Sequence, residues 1–167
     1  MAFDYNTKLA AVIKALKDYN TTTSTPDLSS GLTSRIDDAN ILGFDPMLET
    51  PRADRMPAIY VMIDRKDEDY SALGSTGPSG SMKKAKVDFN IIGIVGKNGG
   101  WEGQSTTLAD VYDLAENIEG VFQKEFKLSN TAMWCNPVQT DFGAAVKLGE
   151  GFAKVVVIKL RAEYLFR

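Results

Sequence analysis

The sequence predicts one α+β domain over residues 1–167, with elements in the order αββαββ: a mostly antiparallel β-sheet flanked by two amphipathic helices, with a long β-hairpin. Three observations predict this class. Two segments repeat apolar residues at helical spacing, four segments have the patterns of strands, and glycine-rich turns join the strands into two hairpins. The 167 residues, 44% of them hydrophobic, suffice for one buried core, since domains near this size hide roughly two thirds of the unfolded chain's surface.

Residues 7–19 predict the first helix. The apolar residues at positions i, i+3, i+4 and i+7 of this segment are Leu9, Val12, Ile13 and Leu16. This spacing places them on one helical face, which can pack against a sheet. Asn6 or Thr7 is expected to cap the N-terminus, and the threonine-rich run before Pro26 is expected to end the helix.

Residues 20–57 are predicted to form the first of two flexible excursions, with a short helical turn near residues 32–39. The features of this segment that favour turns are Pro26, Gly31, Asp45-Pro46 and Pro51. A loop of this length inside a compact domain usually has a function of its own or is disordered. We therefore expect a surface segment that can contact a partner.

The next segments predict the long β-hairpin. A nearly all-apolar strand over residues 58–64 is typical of burial on both faces, and it is expected to end at the charged run beginning with Arg65. Residues 66–82 predict the second flexible excursion, because residues 74–81 are only Gly, Ser, Thr and Pro. The return strand, residues 83–95, alternates apolar and polar side chains as a half-buried strand does.

Residues 106–124 predict the second helix. Its expected inward residues are Leu108, Val111, Ala115, Ile118 and Phe122, and its expected solvent-exposed acids are Asp110, Asp113, Glu116 and Glu119. Residues 133–146 and 151–166 predict a second hairpin that turns over residues 148–151. The last strand alternates apolar residues with Lys159, Arg161 and Glu163.

Few residues of this chain suit catalysis or metal binding. There is no histidine and only one cysteine, so a Ser-His-Asp site and an ordinary zinc site of cysteine and histidine are excluded. We interpret Cys135 as a packing thiol and residues 93–100 as a flexible turn, because their glycine spacing matches neither phosphate-binding fingerprint. The carboxylates lie in polar stretches and are interpreted as solvated surface. The sequence predicts a protein that is not an enzyme and uses no cofactor or metal.

The charge pattern gives one local feature. The formal net charge of -3 provides no general attraction to nucleic acid. The basic residues that stand close together in the sequence are Lys83, Lys84 and Lys86, with Arg52 and Arg55 nearby. Such lysines commonly protect a strand edge against unwanted pairing; the alternative is a surface for an acidic partner or for DNA passing close by.

The N-terminus and the apolar runs indicate where such a protein works. The first residues lack the pattern of a signal peptide, and no apolar run approaches the roughly 20 residues that span a bilayer. We expect a soluble, intracellular protein without membrane contact.

The order of elements and four local patterns resemble the tail terminator proteins of long-tailed bacteriophages. The patterns are residues 57–61 (Pro-Ala-Ile-Tyr-Val), 87–92, 108–118 and 155–166. Members of that family form a hexameric ring that caps the tail tube, ends its polymerisation and offers the surface to which the head or neck attaches. The resemblance implies a virion assembly protein of the tail or neck, assembled in the host cytoplasm.

The resemblance also implies partners. These are further copies of the chain in a homohexameric ring, the tail tube protein and a neck or head-tail connector protein, with the tail sheath protein as a further candidate. It implies no specific nucleic-acid recognition, although DNA can pass through the ring. The residues that we expect to contact partners are Arg52, Arg55, Lys66, Asp67, Glu68, Tyr70, Lys83, Lys84 and Lys86.

Two other interpretations stay open. The order αββαββ is also a circular permutation of the βαββαβ ferredoxin-like fold, which hosts small-ligand-binding regulatory modules. Such a regulator is typically a two-fold dimer with a ligand pocket. Within the phage context, the chain could instead be a neck or head-completion protein.

Overall fold

The computed structural model describes residues 3–43, 56–70, 83–98, 101–143, 146–148 and 151–166. In chain order the elements are helix α1 (Tyr5–Asp18), strands β1 (Ile41–Leu42), β2 (Ala58–Tyr70) and β3 (Lys83–Asn98), helix α2 (Trp101–Lys124), and strands β4 (Trp134–Phe142), β5 (Val146–Leu148) and β6 (Gly151–Phe166). This architecture confirms the predicted α+β class. The order αββαββ holds for the long elements, with β1 and β5 as short additions.

The sheet runs in the order β1-β2-β3-β6-β4, and β5 pairs with β6 beyond the end of β4. Strands β1 and β2 are parallel, whereas all other neighbours are antiparallel. Because β3 and β4 both run opposite to β6, they are parallel to each other, and α2 connects them across it. This split β-α-β arrangement is characteristic of ferredoxin-like folds.

The main core lies between the two helices and one face of the sheet, called here the inner face. The helices bury Val12, Ala15 and Leu16 of α1 and Val111, Leu114, Ala115, Ile118, Val121 and Phe122 of α2. The long central strands bury Ala85, Val87, Phe89 and Ile91 of β3 and Val156, Ile158, Leu160, Ala162 and Tyr164 of β6. The predicted alternation of both strands is confirmed. Each large apolar side chain buried here contributes about 1.5–3 kcal/mol.

A second apolar cluster lies on the opposite face of the sheet, the outer face. Its buried members are Ala58, Tyr60, Ile94 and Ala153. Since Ile59 and Val61 belong to the main core, successive residues at the start of β2 are buried on opposite faces. This double burial explains why the start of β2 is an unbroken apolar run, as predicted.

Strand β2 continues through the charged run at which it was expected to end. A bulge follows Ile63, and beyond it β2 pairs with β3 without interruption as far as Tyr70. Opposite charges face each other in this part, in the pairs Asp67 with Lys86 and Asp69 with Lys84. The prediction that residues 66–70 belong to a flexible excursion is therefore wrong. Residues 71–82, with the predicted tip at 74–81, lie outside the described residues.

The first part of the other predicted excursion packs onto the core. Its buried apolar residues are Leu28, Ile36 and Ile41. The Asn20 amide donates to two acceptors of this segment and fixes it beside the end of α1. The helical turn expected near residues 32–39 is a 3-10 helix over Asp38–Asn40 only. Residues 44–55, the rest of the excursion before β2, lie outside the described residues.

Both helices begin earlier than predicted. Helix α1 is capped by Asp4, whose carboxylate accepts from the Thr7 backbone N–H at 3.1 Å, and not by Asn6 or Thr7. On α2 four of the five predicted inward residues are buried as expected, namely Val111, Ala115, Ile118 and Phe122. Leu108 is 37% exposed, whereas Asp110, expected in solvent, is buried.

Residues 93–98, interpreted from the sequence as part of a flexible turn, belong to β3. Packing favours glycine at position 93, because a Cβ atom would lie 2.7 Å from Leu114 Cδ2 and 3.0 Å from Val156 Cγ1, so that a neighbour would have to move. The glycine thus lets α2 approach the sheet closely. Residues 99–100 lie outside the described residues.

Candidate protein-contact surfaces

The basic residues of β3 are divided between the two faces of the sheet. Lys84 and Lys86 point to the outer face, where both lie near Glu163, at 2.5 Å and 4.0 Å between Nζ and the carboxylate. Lys83 lies on the inner side, 3.8 Å from Glu68. The cluster read from the sequence is therefore not a continuous basic surface, because strand alternation separates its members and acids on neighbouring strands neutralise them.

The rest of the outer face repeats this arrangement. Arg161 makes two hydrogen bonds to Asp88, at 2.7 Å and 2.9 Å, and they hold the pKa of that carboxyl below its usual value. Lys159 lies 3.2 Å from Asp64. Acidic and basic side chains thus alternate across the strands, which favours a self-neutralised face over one that attracts DNA.

The predicted contact residues Lys66 and Glu68 lie in an aromatic cluster at the end of the hairpin. The Lys66 ammonium lies 4.9 Å from the ring centre of Phe3, 5.1 Å from Tyr5 and 5.9 Å from Phe166. A hydrogen bond to Glu68 raises the pKa of Lys66. This group, called here the aromatic clasp, joins the N-terminal segment, the end of β6 and the hairpin.

The other predicted contact residues are not brought together. Asp67 pairs with Arg65 at 2.9 Å in exposed surroundings on the outer face. Tyr70 is the last residue of β2, opposite Lys83. Arg52 and Arg55 lie outside the described residues.

A surface that the sequence did not single out lies between α2 and the edge strand β4. The large apolar side chains of Tyr112, Val138 and Phe142 are between 45% and 49% exposed there. The rings of Tyr112 and Phe142 meet edge to face with centres 5.1 Å apart. A shallow cleft of about 360 Å³ continues this surface and is lined by Glu119, Gln123, Asn136, Pro137, Val138, Gln139 and Thr140. We call the exposed apolar residues and this cleft the open flank.

The opposite flank of α2 is contacted by residues 28–33, which follow α1 in the chain. The Asn117 amide donates to the carbonyl oxygens of Leu28 at 3.2 Å and Ser30 at 2.7 Å. The backbone N–H and hydroxyl of Thr33 donate to Asp110 at 3.2 Å and 3.0 Å. Asp110 is therefore a structural acceptor, which is why the prediction of a solvated acid there is wrong.

No protein-family model matches this chain, and no curated protein matches it in sequence. Among the helices of the described ranges, none has the length and apolar character needed to cross a bilayer. The described residues also include no group of three or more His, Cys, Asp or Glu side chains arranged to hold a metal ion.

The single thiol is part of the core. Cys135 is buried, and its Sγ atom lies 3.4 Å from the carbonyl oxygen of Glu125. Burial raises its pKa to about 12, so the nucleophilic thiolate is scarcely formed at neutral pH. The interpretation of Cys135 as a packing thiol is confirmed.

The open flank could have been recognised from two signals. Leu108 and Tyr112 are four residues apart on α2, so they share a helical face. In β4, Pro137 and Val138 stand among polar residues, so apolar and polar side chains do not alternate regularly. Such a pattern is typical of an edge strand with a bulge.

Proposed function

We propose that this chain is a bacteriophage virion assembly protein without catalytic activity. It forms a ring that caps the tail tube, ends tube polymerisation and provides the interface for head or neck attachment. Copies of the chain, the tail tube protein and a neck or connector protein are its partners.

The observation that carries this proposal is the open flank. An assembly protein must offer stable contact surfaces to other proteins, and such surfaces combine exposed apolar or aromatic side chains with polar surroundings. Tyr112, Val138 and Phe142 are such residues, beside a strand at the end of the sheet. A protein whose surface evolved only for solubility would cover or charge such an edge.

The segments behind the resemblance also support the proposal through their position. Residues 58–61 begin β2, residues 87–92 form the middle of β3, and residues 155–166 form most of β6. Residues 108–118 lie in α2, which packs against β3 and β6. The resemblance thus involves the framework of the fold and not peripheral segments.

A small-ligand-binding regulatory module is the second candidate, and the split β-α-β arrangement of β3, α2 and β4 favours it. Proteins of that kind typically act as two-fold dimers with a ligand pocket. The cleft on the open flank is shallow and lies at the sheet edge, which suits a protein partner better than an enclosed small molecule.

The two candidates can be distinguished by size-exclusion chromatography with light scattering over a concentration series. The largest species is then inspected by negative-stain electron microscopy. We expect closed six-fold rings, because heterologous contacts between identical copies close when the rotation fits. A stable two-fold dimer that binds a metabolite would contradict the proposal and favour the regulatory module.

A further inference from the structure

We propose that the open flank binds a short extended segment of a partner protein, that this segment adds as a strand beside β4, and that it carries basic side chains. This deepens the proposed function by giving the chemistry of one partner. It rests on the proposed function only in requiring that this flank binds a protein, and it does not require the ring to close.

The backbone of β4 limits where such a segment can bind. The Gly143 N–H donates to Val155 of β6 at 2.8 Å. Because backbone groups point alternately to either side of a strand, the N–H and C=O groups of Thr140 and Phe142 point away from β6. No strand of the described ranges pairs with that side of β4. These groups are therefore positioned to form hydrogen bonds with an added strand.

The other end of β4 is already closed to pairing. The Cys135 N–H donates to the Phe126 carbonyl at 2.6 Å, and Pro137 has no N–H to offer. The edge that remains covers residues 138–142, which is enough for a short segment and too little for a long strand. It contains no lysine, arginine or proline, the residues that commonly protect a sheet edge.

The side chains around this edge indicate the charge of the segment. Glu116 and Asp141 are exposed, and Glu119 lines the cleft. The Lys154 ammonium lies at the end of the edge, where it donates to the Gly143 carbonyl at 3.3 Å. The surface is therefore apolar and acidic, and an extended segment that alternates apolar and basic side chains complements it.

A second copy of the chain fits this edge less well. At the other side of the sheet, the two-residue β1 pairs only with the start of β2. The exposed residues in the rest of β2 include Asp64, Asp67 and Asp69 beside Arg65. Pairing this part of β2 with β4 would place acids against Glu119 and Asp141, and like charges in close contact oppose binding. A basic segment of another protein is favoured.

The test uses a fluorescein-labelled peptide of alternating lysine and valine, measured by fluorescence anisotropy with the full chain. We expect saturable binding, and weaker binding of a peptide that alternates glutamate and valine. The variant Glu116→Gln/Glu119→Gln keeps the side-chain shapes and removes two charges, so we expect an affinity loss of about tenfold at low salt. The variant Asp67→Asn/Asp69→Asn removes two charges from β2 and should bind as the natural chain does.

A second probe tests strand addition without altering the protein. The same lysine-valine peptide, N-methylated at every second residue, cannot form the backbone hydrogen bonds on one side and should lose saturable binding. Equal binding of the methylated peptide or of the glutamate peptide would overturn the proposal. A third result would also overturn it: the natural chain does not bind the peptide, and the Glu116→Gln/Glu119→Gln variant loses self-association. That result would identify a second copy of the chain as the occupant of the open flank. Rings seen by light scattering without peptide binding would overturn only this proposal.

Discussion

Arg161 of β6 holds Asp88 of β3 through two parallel hydrogen bonds, from Nε to Oδ1 at 2.7 Å and from Nη2 to Oδ2 at 2.9 Å. Asp88 is only 7% exposed, so the guanidinium replaces water that the carboxylate has lost. The pair joins the two central strands on the outer face, where the surrounding charges also alternate. A face that could have attracted DNA is thereby neutralised.

Replacing Arg161 with methionine should lower the free energy of unfolding by about 1–3 kcal/mol, because a buried carboxylate loses its partner. Urea denaturation at pH 7 measures this. The control is Lys14→Met, which removes a cation from an exposed pair with Asp18 on α1 and should cost less than about 1 kcal/mol. Equal losses in the two variants would contradict a special role for Asp88.

The pair also makes stability depend on pH. Arg161 lowers the pKa of Asp88 below its usual 3.8, so the folded chain binds this proton more weakly than the unfolded chain does. The contribution is complete above the usual pKa and is lost as pH falls through the lower folded value. The unfolding free energy should therefore decrease below about pH 4. Urea titrations at several pH values should show a smaller decrease for Asp88→Asn, and parallel curves would exclude this group as a source.

The aromatic clasp should stabilise the hairpin through Phe3. Its ring contacts Tyr164 and Phe166 edge to face, with centres 5.6 Å and 5.4 Å apart. Phe3→Ala should lower the free energy of unfolding by about 2–4 kcal/mol and speed hydrogen exchange near the end of β2. Tyr5→Ala, at a more exposed ring of the same cluster, should have a smaller effect. Unchanged exchange at residues 65–70 in Phe3→Ala would show that the clasp does not hold the strand.

The sequence was sufficient for the elements whose side-chain pattern reports burial directly. Strands β3 and β6 alternate over residues 85–91 and 156–164 because one face meets the helices, and α1 keeps its apolar residues on one face. The charged end of β2 could not be predicted in this way. Its strand conformation depends on lysines of β3 that lie opposite its acids, and such cross-strand partners are not visible in a local pattern.

The contact surfaces were even harder to predict from the sequence, because tertiary structure decides which side chains share a surface. The basic set was recognised by its spacing in the sequence, yet alternation places Lys83 on one face and Lys84 on the other. Asp110 has the sequence position of a solvated helix acid, but Thr33 donates to it from a segment that is far away in the sequence. The open flank arises from the junction of α2 with β4, two elements whose adjacency is set by the sheet order.

Gly93 gives a test of how closely α2 packs on the sheet. Gly93→Ala places a methyl group 2.7 Å from Leu114 Cδ2, so the helix or the side chain must move, at a cost of about 1–3 kcal/mol. Leu114→Ala alone should also destabilise the chain, because it leaves a cavity in the core. In the double variant Gly93→Ala/Leu114→Ala the new methyl group enters the vacated space, and the loss should be smaller than the sum of the single losses. Thermal or urea unfolding of the four proteins measures the coupling, and strict additivity would show that Gly93 does not set the distance between helix and sheet.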